Sequence, residues 1–237
     1  MIKRFKINIP DKKLKEIYDK VRKYPWHEIS DDDGWKYGTN LNYMKNIAKY
    51  WVQSFDWKKH EKKINKFSNF TSKVDNIDIH FIHEKGSGIN PTPLLLMHGW
   101  PGSIVEFLHI IENLAHPEKF GGKEEDAFDV VVPSLPGFGF SSSPSRPMGP
   151  RGMGEIFNQL MIKKLGYKNY LAQGGDWGAT ICNWLAYDHS KHCKAIHINC
   201  LTMRHPSGPQ TQEEKNWQNR FDKDQIMQDG YRTQQAT

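Results

Sequence analysis

Two apolar periods follow one another along the chain, and each predicts a different architecture. The first is helical. The stretch DKKLKEIYDKVRKY brings Leu14, Ile17, Tyr18 and Val21 onto one face, with Asp11 as the expected N-cap and Pro25 just past the end. NLNYMKNIAKYWVQSF stacks Leu41, Met44, Ile47, Ala48, Trp51 and Val52 in a second stripe, with Asn40 placed to cap it. Aromatics in such a stripe are read as packing residues rather than a binding box. The period then falls to two. NIDIHFIHEKG alternates Ile77, Ile79 and Phe81 with Asp78, His80 and Ile82, as a half-buried strand would.

GSGINPTP, from Gly86 to Pro93, is the clearest loop and closes the N-terminal segment. Beyond it strand and helix patterns alternate. PLLLMHG, FDVVVPSLPG, NYLAQGG and CKAIHINC are short apolar runs, the first two being expected as strands buried on both faces. Between them lie SIVEFLHIIENL, with Ile104, Phe107, Leu108 and Ile111 together, EIFNQLMIKKLG and ATICNWLAYDH, each read as one helix. This alternation predicts an α/β fold, a parallel sheet with helices on its faces, whose ligands sit at the carboxyl ends of the strands. From Pro206 the chain turns polar and reads as an excursion out of the sheet.

Composition changes this picture little. At 237 residues, 37% apolar and 25% charged, the chain is an ordinary globular one. The net charge of +6 arises largely in DKKLKEIYDKVRK and DWKKHEKKINK, where acidic residues interleave with the lysines. That is a solvated helix face; no groove-reading motif accompanies it, so nucleic acid is not expected as a partner. A weak peripheral attraction to anionic membrane surfaces stays open. Cys182, Cys193 and Cys200 lack metal-ligand spacing and are read as reduced core or near-core residues of an intracellular protein. No stretch is apolar and long enough for a signal peptide or a membrane span.

The chemistry concentrates at Gly174-Gly175-Asp176-Trp177-Gly178, which fits a nucleophile elbow with Asp where Ser is commoner. A carboxylate cannot acylate as Ser does, but it can open an sp³ carbon and leave an alkyl-enzyme ester. The same Asp could instead cap the following helix, and the pentapeptide alone does not choose between the two. Two further turns bear on it. MHGWPGS, with His98, Gly99, Trp100 and Pro101, ends the first buried strand, where the second oxyanion donor of an elbow enzyme belongs. The backbone N–H groups of Trp100 and Trp177 could converge there on one ester oxygen. PSLPGFGFSSSP ends the next strand and belongs at the same mouth.

HGWPGS, PSLPGFGFS and GGDWG, in this order, resemble the microsomal-type epoxide hydrolases of the α/β-hydrolase fold, a group that includes the insect juvenile hormone epoxide hydrolases. DDDGWKYGTNLNYMKNIAKYWVQSFDW resembles the helical N-terminal domain of that group, so the likeness covers essentially the whole chain. It implies an N-terminal domain over 1–90, an α/β-hydrolase core over 91–205 and the start of a cap over 206–237. It implies Asp176 as nucleophile, Trp100 and Trp177 as backbone oxyanion donors, and Tyr231, in GYRTQQAT, as a donor to the opening epoxide oxygen. His98, Gly99, Pro101, Gly174 and Gly178 would support these turns. The substrate would be a small lipophilic epoxide, with no cofactor and no metal, and the family is often found at the endoplasmic reticulum membrane.

The sequence departs from the family after the cap motif. A second tyrosine, an acid and a water-activating histidine are expected there, whereas the chain ends at Thr237 and all eleven histidines lie at or before His205. His109, His189, His192 and His197 fall in helix, turn or strand patterns and are read as structural. The expectation is a C-terminally truncated chain that forms the ester without hydrolysing it. The competing readings are a haloalkane dehalogenase and a non-catalytic binder of hydrophobic epoxides.

Overall fold

The computed structural model describes residues 1–27, 34–36, 38–200 and 207–225. The chain divides into two compact units, Met1–Asn199 and Cys200–Thr237. The first is built on a seven-stranded sheet. Its strands are β1 (Ile2–Arg4), β2 (Asn69–Val74), β3 (Ile77–Glu84), β4 (Thr92–Met97), β5 (Phe128–Pro133), β6 (Tyr170–Gly174) and β7 (Cys193–Ile198), in the order β1-β2-β3-β5-β4-β6-β7. The strands β5, β4, β6 and β7 run parallel. The sheet is nonetheless mixed, because β1, β2 and β3 pair antiparallel and β3 adds antiparallel to β5. The wholly parallel sheet expected from the strand–helix alternation thus holds for four strands. The other three come from the segment before residue 90.

The β2–β3 hairpin follows from its turn. Asp75 and Asn76 take φ of 45° and 66°, the left-handed pair that a two-residue hairpin needs and that Asp and Asn tolerate. The half-buried expectation for β3 fails at His80 and Ile82, both fully buried. The reason is that both faces of the sheet are covered. Alternate residues feed opposite layers: Leu95, Met97 and Val131 pack beneath helices α5 (Pro150–Gln159) and α6 (Trp177–Asp188). Leu94, Leu96, Val130, Val132 and Ile82 pack on Ile7, Ile64, Ile104, Phe107 and Ile111.

The helices depart from their expected bounds in instructive ways. Helix α1 (Asp11–Arg22) has Pro10, not Asp11, at its N-cap; Asp11 is the first helical residue and makes no capping bond. In α2 (Leu41–Gln53) Asn40 caps as expected, accepting from Tyr43 N at 2.9 Å. The lysine-rich run forms α3 (Trp57–Ile64). The single helix expected over residues 103–114 is a 3-10 turn, Ile104–Phe107, followed by the short α4 (Ile111–Ala115). Leu108 and Ile110 bond three residues back, so the winding is too tight for one α-helix, yet Ile104, Phe107 and Ile111 still reach the core. Helix α5 starts at Pro150, favoured at a first helical position, and widens into a π turn over Leu160–Lys164.

The α2 stripe is not packed as expected. Met44, Ile47 and Trp51 are exposed. Ile47, Tyr50 and Trp51 line a groove of about 580 Å³ with Leu14 and Ile17 of α1 and with Trp57 and Phe140. Among the cysteines, Cys182 and Cys193 are buried, which pushes their thiols up to about 12 and about 11. Cys200 is exposed, contrary to a core role, because it lies just beyond the last pairing of β7. The second unit holds α7 (Gln212–Arg220), closed by a Thr211–Glu214 capping box, with Trp217 and Phe221 stacked at 5.0 Å. Among the described residues no helix is long and apolar enough to cross a membrane.

Candidate active site

The carboxyl ends of β4 and β6 are adjacent, with Met97 paired to Gly174, so the turns after them rise side by side. After β6 the chain must reverse into α6 within two residues. Asp176 makes that reversal with φ 50° and ψ −123°, a conformation that costs a residue with a Cβ of the order of 1–3 kcal/mol. The glycines make the turn sterically possible. A Cβ on Gly174 would strike the backbone of Gly178, and one on Gly178 would strike the Met97 carbonyl. A Cβ on Gly99 would run into the Asp176 carboxylate itself. Asp176 stands at the N-cap position of α6, but its side chain makes no capping bond. Instead the Trp100 N–H donates to its Oδ1 at 2.8 Å.

That bond joins two residues 76 positions apart. The structure therefore brings together Asp176, the Trp100 amide and the supporting residues Gly99, Gly174 and Gly178. The Trp100–Pro101 peptide that continues the loop is cis. The N–H of Trp177, first in α6 and without an intrahelical acceptor, makes no hydrogen bond to the carboxylate. The two indoles are open to solvent, Trp100 by 62% and Trp177 by 40%, and give the mouth an apolar rim. Tyr231 lies outside the described residues.

His98 lies beneath this loop and is buried. Its Nε2 accepts from the Leu135 N–H at 3.2 Å, so the proton sits on Nδ1, which donates to the Gly99 carbonyl at 2.9 Å. Burial lowers its pKa. Both nitrogens are engaged, and the ring ties the end of β4 to the loop after β5. Of the four histidines read as structural, His189 faces Glu155 at 3.2 Å and His192 engages the Lys168 carbonyl at 2.8 Å. His109 and His197 are exposed, and among the described residues no hydrogen bond holds either imidazole.

Sequence reasoning missed a second constellation. His80 lies between Ser134 Oγ and Asn69 Oδ1, each at 3.0 Å, and all three residues are buried. Asn69 spends its Nδ2 on the carbonyls of Ile64 and Phe67, so its oxygen accepts from His80 Nε2–H and Ser134 Oγ–H donates to Nδ1. The order Ser, His, Asn mimics a catalytic triad, but no solvent or substrate reaches it. Burial holds the His80 pKa down to about 4. The loop after β5 is also laced to β3: Ser134 N to His80 O, His80 N to Ser141 Oγ, Asp78 N to Ser142 Oγ and Ser142 N to Asp78 O. No spacing rule marks such a partnership, because its members come from three separate elements.

A third cluster sits at the other end of the sheet. Asp129 accepts from Lys85 Nζ at 2.7 Å, Tyr167 OH at 2.7 Å and Gly86 N at 2.9 Å, and the Tyr167 oxygen meets His83 Nε2 at 2.8 Å. It joins β3, β5 and the approach to β6 far from the carboxyl-end turns.

Residues 2–107 match the epoxide hydrolase N terminus family, and residues 92–237 match the alpha/beta hydrolase fold family. Epoxide hydrolase 1 of Sus scrofa is 38% identical over 203 residues, which is 84% of this chain and 44% of that protein. The crystal structure of juvenile hormone epoxide hydrolase from Bombyx mori superposes with a TM-score of 0.77 at 31% identity, covering 87% of this chain and 49% of that one. The Aspergillus niger epoxide hydrolase structure gives a TM-score of 0.80 at 29% identity, covering 95% and 61%. The chain thus spans about 44% of the length of curated relatives such as the Sus scrofa enzyme.

Proposed function

For a chain that belongs to the α/β-hydrolase fold family and carries an epoxide hydrolase N terminus, we propose that Asp176 opens lipophilic epoxides through a covalent aspartyl ester. The observation that carries this is the bond from Trp100 N–H to Asp176 Oδ1. It distinguishes the two carboxylate oxygens. Oδ1 is held by the amide and is destined to be the ester carbonyl oxygen. Oδ2 has no partner among the described residues and is the attacking atom. Its lone pair forms a bond to one epoxide carbon, the ring C–O bond breaks, and the alkoxide takes a proton from a phenol. Tyr231 is assigned that phenol through the family resemblance.

In the second step water adds to the ester carbon. Negative charge moves onto Oδ1, where the Trp100 amide already points; the Trp177 amide, at the positive end of α6, is the second donor that the family resemblance assigns. Collapse breaks the ester C–O bond, releases the diol and restores the carboxylate. This water needs a base. His98 does not provide it, both nitrogens being committed. Residues 1–237 are therefore proposed to form the ester faster than they release it.

The test is to incubate residues 1–237 with a lipophilic terminal epoxide and follow intact mass. The expected result is a gain of one epoxide mass, mapped to the peptide containing Asp176 and absent in Asp176→Asn. An unmodified protein, or a label elsewhere, rejects the proposal. A parallel incubation with a chloroalkane separates the dehalogenase reading, which predicts an alkyl adduct and released chloride.

A further inference from the structure

Strands β6 and β7 pair in register with Gly174 opposite Ile198, so Gly175 and Asn199 are the next residues out at the carboxyl end. Gly175 immediately precedes the strained Asp176. A methyl group built on Gly175 would lie 2.5 Å from Asn199 Oδ1 and 3.2 Å from both its Cγ and its Nδ2. These are the three nearest atoms, so the amide of Asn199 fills the space that a side chain at 175 would need. Among the described residues that amide makes no hydrogen bond, and the residue is exposed. It contributes little to the core. A polar side chain that occupies the space beside the backbone before a strained residue, and that no protein hydrogen bond holds among the described residues, has a mechanical use.

We propose that Asn199 is a positioning residue for the elbow: its amide wedges the Gly175 backbone from the β7 side and so holds the Asp176 carboxylate against the Trp100 N–H. The inference rests on Asp176 being the nucleophile of the preceding proposal. It explains why a glycine is needed at 175, where no positive φ demands one. A displacement of about 1 Å at a reacting group costs up to ~100-fold in rate, and loss of one wedge is expected to cost about tenfold.

The experiment is a double-mutant cycle on residues 1–237, reading the rate of Asp176 adduct formation and the hydrogen exchange of the Trp100 amide by NMR. Asn199→Ala should slow adduct formation about tenfold at saturating epoxide, leave the half-saturating concentration unchanged and speed Trp100 exchange. Gly175→Ala should be worse, because its methyl meets the amide. Gly175→Ala with Asn199→Ala should recover rate relative to Gly175→Ala, the new methyl taking the vacated space. A wild-type rate and exchange in Asn199→Ala, or a double variant no better than Gly175→Ala, overturns the inference. So does loss of the folded state in Asn199→Ala, which would make the residue structural. If the wild-type chain forms no Asp176 adduct, the epoxide reading fails on its own, and Trp100 exchange still decides whether Asn199 positions the elbow.

Discussion

The two polar constellations of the first unit look alike on paper and differ in kind. In Asn69–His80–Ser134 every donor has an acceptor, and the three side chains are sealed from water. In Trp100–Asp176 one carboxylate oxygen is held and the other has no partner among the described residues, on a backbone that pays for its shape. The first resembles a catalytic triad by residue type, yet its burial leaves no route to a substrate; the second lacks that outline and is the one proposed to react. Completeness is the discriminating property. A satisfied and buried network has lost its capacity to bind anything else, while an incomplete one at the open end of a parallel sheet retains it.

Three variants sharpen this contrast. The largest effect is expected at Gly99→Ala. Its methyl meets the Asp176 carboxylate and should push Oδ1 off the Trp100 amide, slowing adduct formation by about 100-fold with the melting temperature little changed. An unaffected rate would mean that the Trp100 bond is not what orients the nucleophile. Next is His80→Ala, which leaves the Ser134 and Asn69 groups unpaired around a cavity. Chemical denaturation should show a loss of about 2–4 kcal/mol, with adduct formation per folded molecule retained. A selective loss of reactivity there would make the buried network part of the chemistry and dissolve the distinction.

The smallest effect is in the pH dependence of stability. Burial lowers His80 to about 4, and burial with the Lys85 charge lowers His83 to about 4. Unfolding returns both to the ordinary histidine value near ~6.5, so between these limits the unfolded chain binds more protons. Stability should thus be full above about pH 6.5 and fall as pH drops toward 4, by roughly 1.4 kcal/mol per pH unit for each histidine at most. His80→Gln, which keeps a donor and an acceptor, should flatten this slope. An unchanged slope would mean that His80 is not held neutral by the fold.

Much of the candidate site was legible in the sequence because its requirements are local. Gly174, Gly175 and Gly178 around one Asp announce a turn too tight for side chains, and Met97 to Gly99 mark the end of a buried run. What was not legible depends on partners far away in the chain. β1 is three residues long, and β2 reads NFTSKV, with Asn69 and Ser72 buried where a pattern rule expects apolar residues. Asn69 is inside because His80 and two carbonyls satisfy it, which spacing cannot reveal. The helix expected after Ser103 broke because apolar period alone does not separate an α-helix from a 3-10 turn followed by a short helix. The wedge at Asn199 was invisible for a similar reason. It exists through the register of two strands, not through any motif.

The lacing of residues 134–142 to β3 has a consequence for selectivity. A rim fastened by main-chain bonds on both sides of Phe138 and Phe140 is part of the slab, not a flap hinged to it. A molecule entering the proposed site would find that wall already in its final shape. It loses no affinity to ordering the rim, and it gains none from the rim yielding. For the proposed epoxide site, a fixed wall on this side implies discrimination by outline: a guest too broad for it would be refused rather than accommodated, and widening the repertoire would require shortening the loop instead of loosening it.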